Sequence, residues 1–195
     1  MPARKPAKST TAAPVYQLKI TLKYFRPPIW RRVLVPGHYT LGDLHWVVQH
    51  AMGWTNSHLH HFKVGETYYS LPMRGTDWED SREEDARRAR LDQIAPRAKM
   101  KFLYEYDFGD SWQHEILVEK ILPPDPALNH PMCLKGKRAC PPEDVGGVWG
   151  YAEFLVAISN QEHEEHDSYL EWIGGEFDPE AFDLDEVNAM LSRLR

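Results

Sequence analysis

Two stretches in which apolar or aromatic residues recur at every second position constrain the fold of this chain more than any other feature of its sequence. In residues 16–24 every even-numbered position is apolar or aromatic and every odd-numbered one is polar, and residues 101–108 place four aromatic side chains at even positions. A period of two predicts a β-strand with one buried face. Each stretch is followed by a turn, Pro27-Pro28 or Gly109-Asp110, and then by a second strand-like run. The pattern therefore predicts two β-hairpins in an antiparallel sheet.

Helical spacing dominates the later part of the chain. Thr40 and Gly53 delimit a first helix, and further helices are expected over 151–158, over 164–172 and from Asp183 to 194. Residues 59–64 and 67–71 are expected to be short strands, residues 78–97 a charged excursion with at most a short helix, and the proline-rich residues 123–142 an irregular loop. Strands early and helices mostly in the C-terminal third predict a single compact α+β domain over residues 15–195.

Composition narrows the class of protein. The chain of 195 residues is 42% apolar and carries 2 cysteines, which is enough for a hydrophobic core but too few thiols for a disulfide framework. No run reaches the length of a membrane span, and the N-terminus lacks the apolar stretch of a signal peptide. We therefore expect a cytoplasmic protein that has no membrane partner.

Charge is distributed unevenly along the chain. The net charge is -6, yet residues 1–76 hold ten basic and two acidic side chains, whereas residues 161–195 hold two basic and eleven acidic ones. Residues 1–14 are basic and rich in Ala, Pro, Ser and Thr, which predicts a disordered tail. The basic N-terminal half is therefore consistent with binding to an anionic partner, whereas the acidic residues lie largely in the predicted C-terminal helices.

Three segments together are specific to a known family. Residues 104–114 read YEYDFGDSWQH, residues 138–147 read RACPPEDVGG, and residues 177–182 read FDPEAF. With these segments the chain resembles the plasmid pRiA open-reading-frame-three-like family, whose members include passenger proteins of insertion elements with a resolvase-derived name. The resemblance spans residues 16–194 and implies a compact α+β domain of a mobile genetic element, without implying a particular reaction. The chain shows neither the nucleophilic serine with supporting arginines nor the helix-turn-helix of a resolvase.

A metal site is one hypothesis for the proline-rich loop. Cys133 and Cys140 are preceded by His130, and thiolate and imidazole groups suit Zn²⁺. A closed site needs a fourth ligand from elsewhere, for which His114, His163 and His166 are candidates. The alternative is two reduced thiols beside an ordinary histidine.

His58 and His60 form a second possible metal-binding pair. On a strand the two side chains would point to the same side of the sheet. The pair needs a third, converging ligand to bind a metal, and the alternative is a pair of ordinary surface histidines.

Carboxylates cluster about the second hairpin turn. Asp107, Asp110 and His114 lie near that turn, and Glu143 precedes Asp144 in a later loop. Together the carboxylates are candidates to hold a divalent cation, with His114 as general base for hydrolysis. The alternative is that Asp110 and Asp107 satisfy backbone groups of the turn while His114 is an ordinary strand residue.

The first hairpin carries candidates for binding nucleic acid. Arg26, Arg31 and Arg32 lie beside Trp30, a combination that can contact phosphates and stack on bases. Because neither a nucleophile–base pair nor a complete set of metal ligands is visible, the sequence favours a non-catalytic interaction module for a protein or nucleic-acid partner. The alternative is a metal-dependent hydrolase that acts on a substrate such as nucleic acid.

Overall fold

The two predicted hairpins form the centre of one sheet. The computed structural model describes residues 13–72 and 83–194. The strands there are β1 Val15–Leu22, β2 Trp30–Pro36, β3 His60–Val64, β4 Thr67–Ser70, β5 Glu83–Asp85, β6 Lys101–Tyr106, β7 Trp112–Leu122 and β8 Met132–Lys137. The helices are α1 Leu41–Met52, α2 Leu91–Ile94, α3 Gly147–Ser159, α4 His166–Ile173 and α5 Leu184–Leu191. The strand order is β5-β4-β3-β6-β7-β1-β2-β8, and every pair except β4–β5 is antiparallel. The predicted α+β architecture is confirmed.

The alternation in β1 divides its side chains between a core and an open face. Leu18 and Ile20 are fully buried, whereas Lys19 between them is partly exposed. β1 lies between β2 and β7, so that Lys19 is in register with Arg32 on one side and Leu117 on the other. The α1 side chains join the core on the buried face. The period of two in the sequence thus corresponds to one face packed against helices and one face in contact with solvent.

Helix α1 begins and ends where the sequence predicts. The Thr40 hydroxyl accepts a hydrogen bond from the Asp43 N–H at 3.1 Å, and the Asp43 carboxylate accepts one from the Thr40 N–H at 2.8 Å. This reciprocal pair satisfies N-terminal donors that have no partner within the helix. Gly53 ends the helix with a left-handed φ of 102°, a conformation that glycine adopts without a steric cost. The chain then turns towards the end of the central hairpin.

The loop over residues 123–142 is less irregular than expected. Its prolines flank residues 132–137 instead of interrupting them, so this run forms β8 and pairs with β2, placing Cys133 opposite Val33. The prediction of a wholly irregular loop was wrong because proline removes ladder hydrogen bonds only where it lies. In the charged excursion, β5 and the single-turn α2 are formed, while residues 78–82 lie outside the described residues. Of the predicted tail, residues 1–12 also lie outside them.

The C-terminal helices return the chain to α1 and β8. Asn188 in α5 bonds both backbone groups of Cys133, accepting from its N–H at 2.7 Å and donating to its carbonyl at 3.0 Å. Arg138 just after β8 pairs with Glu180 at 2.5 Å. The longest helix, α3, has 13 residues, and within residues 13–72 and 83–194 there is no helix of the length and apolar character needed to cross a bilayer.

Candidate metal centre

A cleft opens where the turn after β6 meets the segment between α1 and β3. Its volume is about 610 Å³, and residues 56–60, 71–72 and 107–109 line it. Three parts of the chain that are distant in sequence meet here: the segment after α1, the β6–β7 turn, and the loop that precedes α3. The first two contribute His58 and Asp107 to the lining of the cleft, and the loop places Asp144 next to His58.

His58 is positioned by the hydroxyl of a buried tyrosine. Tyr106 is the last residue of β6, and its oxygen accepts hydrogen bonds from the backbone N–H groups of Ser57 at 2.9 Å and His58 at 3.3 Å. The same hydroxyl donates to Glu143 at 2.6 Å. Burial, and then the neighbouring Glu143, raises the pKa of Tyr106, so the phenol stays protonated. One side chain thereby holds two segments of the site together.

Asp107 is fixed by the turn that follows it. Its backbone is left-handed, with a φ of 56°, and its N–H donates to the Leu59 carbonyl at 2.8 Å. Oδ1 accepts from the N–H groups of Gly109 at 2.9 Å and Asp110 at 3.4 Å. The other oxygen, Oδ2, lies 3.7 Å from Nε2 of His58. The carboxylate is therefore oriented through one oxygen and presents the other to the imidazole.

The loop that precedes α3 is held against the hairpin turn. Asp110 Oδ2 accepts from the Gly146 N–H at 3.1 Å. At Gly147 φ is +68°, and a Cβ there would lie 2.4 Å from the Asp110 carbonyl oxygen, so this approach requires glycine. Glu143, two residues before Val145, accepts from the Thr55 hydroxyl and from Tyr106. Burial alone would raise the pKa of Glu143, but these hydrogen bonds outweigh it and hold the pKa below its ordinary value. The loop thus carries Asp144 to the cleft.

Three ligand atoms converge where these parts meet. Nε2 of His58 lies 3.1 Å from Oδ1 of Asp144 and 3.7 Å from Oδ2 of Asp107, and the three ligand atoms all lie within 4.8 Å of one another. Although these distances are within ion-pair range, the geometry makes no hydrogen bond to the His58 nitrogen, which is buried from solvent. Ligands bound at ~2.1 Å around a tetrahedral ion lie about 3.4 Å apart. We call His58, Asp107 and Asp144 the metal cluster, and the two distances measured from His58 lie on either side of that value.

Two stacked histidines lie beneath the metal cluster. His60 lines the cleft, is buried, and packs its ring on His45 with 3.5 Å between centroids. Burial, and then the neighbouring His45, lowers the pKa of His60 to about 3, and burial lowers that of His45 to about 4. Both rings are neutral near pH 7. His45 is bonded to Tyr104 and Asn56 at 2.9 Å each, whereas Nε2 of His60 has no hydrogen-bond partner.

The structure separates the four predicted catalytic candidates. Asp107 belongs to the metal cluster, while Asp110 and Glu143 lie beside it and hold the loop in place. His114 is fully buried in the core, with Nδ1 at 2.9 Å from the Trp112 carbonyl oxygen, and burial lowers its pKa to about 3. The suggestion that His114 is a general base is corrected, because this ring reaches neither solvent nor the cleft.

The predicted cysteine site is not assembled. In the described residues the group of His, Cys, Asp and Glu side chains close enough to share a metal is the metal cluster, and neither cysteine belongs to it. Burial raises the pKa of both Cys133 and Cys140, and the Cys133 thiol donates to the Lys135 carbonyl. His130 is bonded to the Pro131 carbonyl at 2.9 Å. His114 lies in the core, so the four predicted ligands do not converge.

Arg31 is a structural residue and not a nucleic-acid contact. It is 2% exposed and donates to the backbone carbonyls of Ala51, Trp30, Lys137 and Arg138 at 2.8–3.0 Å. Its guanidinium also lies over the Phe182 ring, 4.5 Å from the centroid. We call Arg31, Cys133, Cys140 and His114 the arginine cluster, since both thiols and the imidazole interact electrostatically with Arg31.

The other candidates of the first hairpin remain at the surface. Arg32 makes a two-point ion pair with Glu119, at 2.6 and 2.8 Å, and lies over the ring of Trp30. Arg26 is exposed in the turn between β1 and β2. Of the three predicted arginines, Arg26 is thus the one whose charge is most available to an anion.

Sequence reasoning named Asp107 but missed the convergence of the metal cluster. The pair His58 and His60 was expected on one strand side, yet β3 begins at His60 and His58 lies in the bend before it. His58 therefore faces Asp107 while His60 packs on His45. The position of Asp144, beside Glu143 and shortly before two glycines, indicated an acidic loop in the sequence. Only the fold shows that this loop contacts the hairpin turn.

Comparison with known proteins agrees with this fold. The chain is 40% identical over 183 residues to "Uncharacterized protein y4hQ" of Sinorhizobium fredii, with 93% of each chain covered. A crystal structure described as a protein of unknown function, MM3350 from Methanosarcina mazei Go1, superposes with a TM-score of 0.80 at 39% identity and covers 90% of this chain and 98% of its own. The family model described as plasmid pRiA4b ORF-3-like protein matches residues 14–186. With nearly the whole described domain inside that match, the chain belongs to the plasmid pRiA4b ORF-3-like family.

Proposed function

We propose that this protein is a metal-dependent hydrolase whose divalent ion is bound by His58, Asp107 and Asp144. The observation that carries the proposal is the convergence of one imidazole nitrogen and two carboxylate oxygens, at 3.1 and 3.7 Å from the nitrogen, on the edge of a cleft. Reactive metal sites commonly have three protein ligands, which leave coordination positions for water and substrate.

The donor set favours Mn²⁺ or Zn²⁺. Imidazole suits zinc and other transition metals, and carboxylates suit manganese as well as harder ions. A bound ion of this kind lowers the pKa of a coordinated water and polarises a carbonyl or phosphoryl oxygen. The Asp107 carboxylate is already oriented by Gly109 and Asp110, so binding requires little rearrangement on this side of the site.

Other cleft residues have separate tasks in this proposal. The neutral His60 offers an unpartnered Nε2 that can exchange a hydrogen bond with a polar atom of the substrate. Leu59 and Phe108, each about half exposed, present apolar surface to the same cleft. An apolar wall with a few polar groups is the usual composition of a site for a small organic substrate.

Metal binding is the first test. Titration calorimetry with MnCl₂ and with ZnCl₂ on protein treated with chelator should show one site per chain. Asp107→Asn should weaken the affinity more than about 100-fold, because loss of a ligand has a larger effect than loss of a residue that only orients a ligand. Asp167→Asn, an exposed aspartate on α4, is the matched control and should bind as the unmodified chain does. Equal affinity in the Asp107 variant and its control contradicts the site.

Hydrolysis is tested separately. The metal-loaded protein should cleave a model substrate, bis(p-nitrophenyl) phosphate or p-nitrophenyl acetate, and activity should follow metal occupancy across the same variants. Stoichiometric metal binding without cleavage of either compound would leave the metal site standing and contradict the hydrolase.

A second candidate function, a non-catalytic interaction module, is favoured by a different observation. Trp149 is 83% exposed and Val156 58% exposed on α3, and large apolar side chains at a surface are typical of sites that bind other proteins. The nucleic-acid version has less support because Arg31 is buried and Arg32 is paired with Glu119. Fluorescence polarisation with duplex and single-stranded oligonucleotides over a salt series tests it, and an Arg26→Ala change should weaken any salt-sensitive binding.

A further inference from the structure

Helices α3 and α4 enclose a groove that is distant from the core of the sheet. Trp149, Ala152, Glu153 and Val156 follow the spacing of one face of α3 and line it together with residues 163–165 and Tyr169. The volume of the groove is about 490 Å³. We refer to it as the acidic groove.

The rim of the acidic groove is negatively charged and unpaired. Glu153, Glu164 and Glu165 all line it and all are exposed. Within the described parts of the chain none of the three forms an ion pair, in contrast to Glu119 and Glu180. Exposed carboxylates without an ion-pair partner produce a negative potential over the apolar floor of the groove.

A smaller hollow continues the acidic groove along α4. Asp144, Glu165, Tyr169 and Trp172 are among its lining residues, and its volume is about 340 Å³. Trp172 is 47% exposed. The two hollows share Glu165 and Tyr169, so aromatic and acidic side chains form one continuous strip that reaches Asp144.

We infer that the acidic groove binds a basic protein segment, one that presents lysine or arginine together with apolar side chains. The exposed Trp149 and Val156 provide apolar contacts, and the unpaired carboxylates provide charge complementarity for cations. The same carboxylates repel the phosphates of a nucleic acid, which makes that class of partner unfavourable at this surface. The inference rests on the second proposed function. Asp144 of the metal cluster lines the smaller hollow, but the residues that line the acidic groove itself lie outside that cluster.

Binding of a defined probe tests the acidic groove. The probe is a fluorescein-labelled peptide of about 14 residues composed of leucine and lysine in a helical pattern, and its counterpart carries glutamate in place of lysine. In fluorescence polarisation the lysine peptide should bind and the glutamate peptide should not. Trp149→Ala should weaken binding about tenfold, since a large exposed aromatic is a typical anchor. Glu164→Gln with Glu165→Gln should weaken it about three- to tenfold at low salt, with the difference shrinking as salt rises.

Matched variants on other surfaces control for charge and for loss of an aromatic. Tyr24→Ala removes an aromatic that is 72% exposed in the β1–β2 turn, and Glu171→Gln with Glu176→Gln changes the net charge by the same amount outside the groove lining. Both should bind the lysine peptide within about twofold of the unmodified chain. The Trp149→Ala protein is also checked by its unfolding curve, so that a folding defect is distinguished from lost contact.

Three outcomes overturn the assignment. If the groove variants bind the lysine peptide as the unmodified chain does, the peptide binds at another surface. That result contradicts the acidic groove as the binding site but is consistent with an interaction module. If the lysine peptide does not bind but an oligonucleotide does, in a way that depends on Arg26, the proposal of a basic protein partner is contradicted. The protein would then be an interaction module for nucleic acid. Self-association in sedimentation velocity that Trp149→Ala abolishes identifies a second copy of this chain as the occupant of the groove.

Discussion

The metal cluster and the arginine cluster each place a histidine beside charged or titratable side chains but differ in what surrounds them. In the arginine cluster the guanidinium donates to four backbone carbonyls, His114 and Cys133 are buried, and Cys140 is partly buried. In the metal cluster Asp144 is largely exposed, and the imidazole nitrogen of His58 lies between two carboxylates without a hydrogen bond. The guanidinium of the arginine cluster has its hydrogen bonds satisfied by backbone carbonyls, and Nε2 of His114, which has no partner, is enclosed in the core. The metal cluster instead has an exposed carboxylate, Asp144, that a ligand can reach.

This difference shows why residue type alone is a poor guide to function. Buried polar groups are stable only when their hydrogen bonds are satisfied, so a satisfied cluster contributes to folding and has little capacity left for a ligand. Arg31 connects the end of α1, at Ala51, to the end of β8, at Lys137. His58 and Asp144 lie on a bend and a loop, where side chains remain accessible.

The largest effect is expected from removing Arg31. Arg31→Met retains much of the volume but leaves four backbone carbonyls without donors, which should lower the free energy of unfolding by about 3 kcal/mol or more. Arg26→Met, at an exposed position of the same hairpin, should change it by less than about 0.5 kcal/mol. Urea denaturation followed by tryptophan fluorescence measures both. Equal stabilities of the two variants would contradict the structural role of Arg31.

A smaller effect is expected at Gly147, where the loop of the metal cluster contacts the hairpin turn. Gly147→Ala adds a Cβ at 2.4 Å from the Asp110 carbonyl at a positive φ, which should cost about 1–3 kcal/mol and weaken metal binding by displacing Asp144. Gly65→Ala also has a positive φ but meets nothing within 4 Å. It should cost about 1 kcal/mol and leave metal affinity unchanged. A Gly147→Ala protein that binds metal with unchanged affinity would contradict the role of this loop in positioning Asp144.

The smallest effect is a pH dependence that belongs to the arginine cluster. The pKa of His114 is about 3 in the folded chain, against about 6.5 when unfolded. The unfolded state therefore binds more protons as the pH falls below 6.5, and stability that is fully present above that pH is lost on acidification.

Replacement of His114 isolates this contribution. His114→Leu should reduce the slope of unfolding free energy against pH by about 1.4 kcal/mol per unit between about pH 5 and 6. His38→Leu, at an exposed position, is the control. The same loss of slope in the His38 variant, or none in the His114 variant, would contradict the assignment.

The fold was predictable from the sequence where local patterns coincide with tertiary packing. The even-numbered apolar residues of β1 and β6 form the buried face of the sheet, and Thr40 with Asp43 forms a capping box at the start of α1. β8 was missed because six apolar and polar residues between prolines carry no clear alternation, and its pairing with β2 is a property of the sheet edge. In short strands such as β8, pairing with a neighbouring strand has more influence on the structure than the intrinsic β-propensity of the residues.

The site was predictable only in part. Asp107 was identified from its place at the hairpin turn, but His58 and Asp144 lie far from it in sequence and meet it through loops. The interest in His114 had a sound chemical basis, yet burial decided its role. The alternation within one strand shows on which face a polar residue such as His114 lies, but not whether other segments cover that face.

The sequence by itself determined the two hairpins, the caps of α1, the membership of the chain in its family and the acidity of its C-terminal helices. These properties depend on residues close together in the chain, where side-chain periodicity and backbone hydrogen bonding act locally. Only the tertiary structure decided that Arg31 and His114 are buried, that His58 meets Asp107 and Asp144, and that three glutamates surround the groove beside Trp149. Such features depend on distances between separate segments, which are set by how sheet, loops and helices pack together.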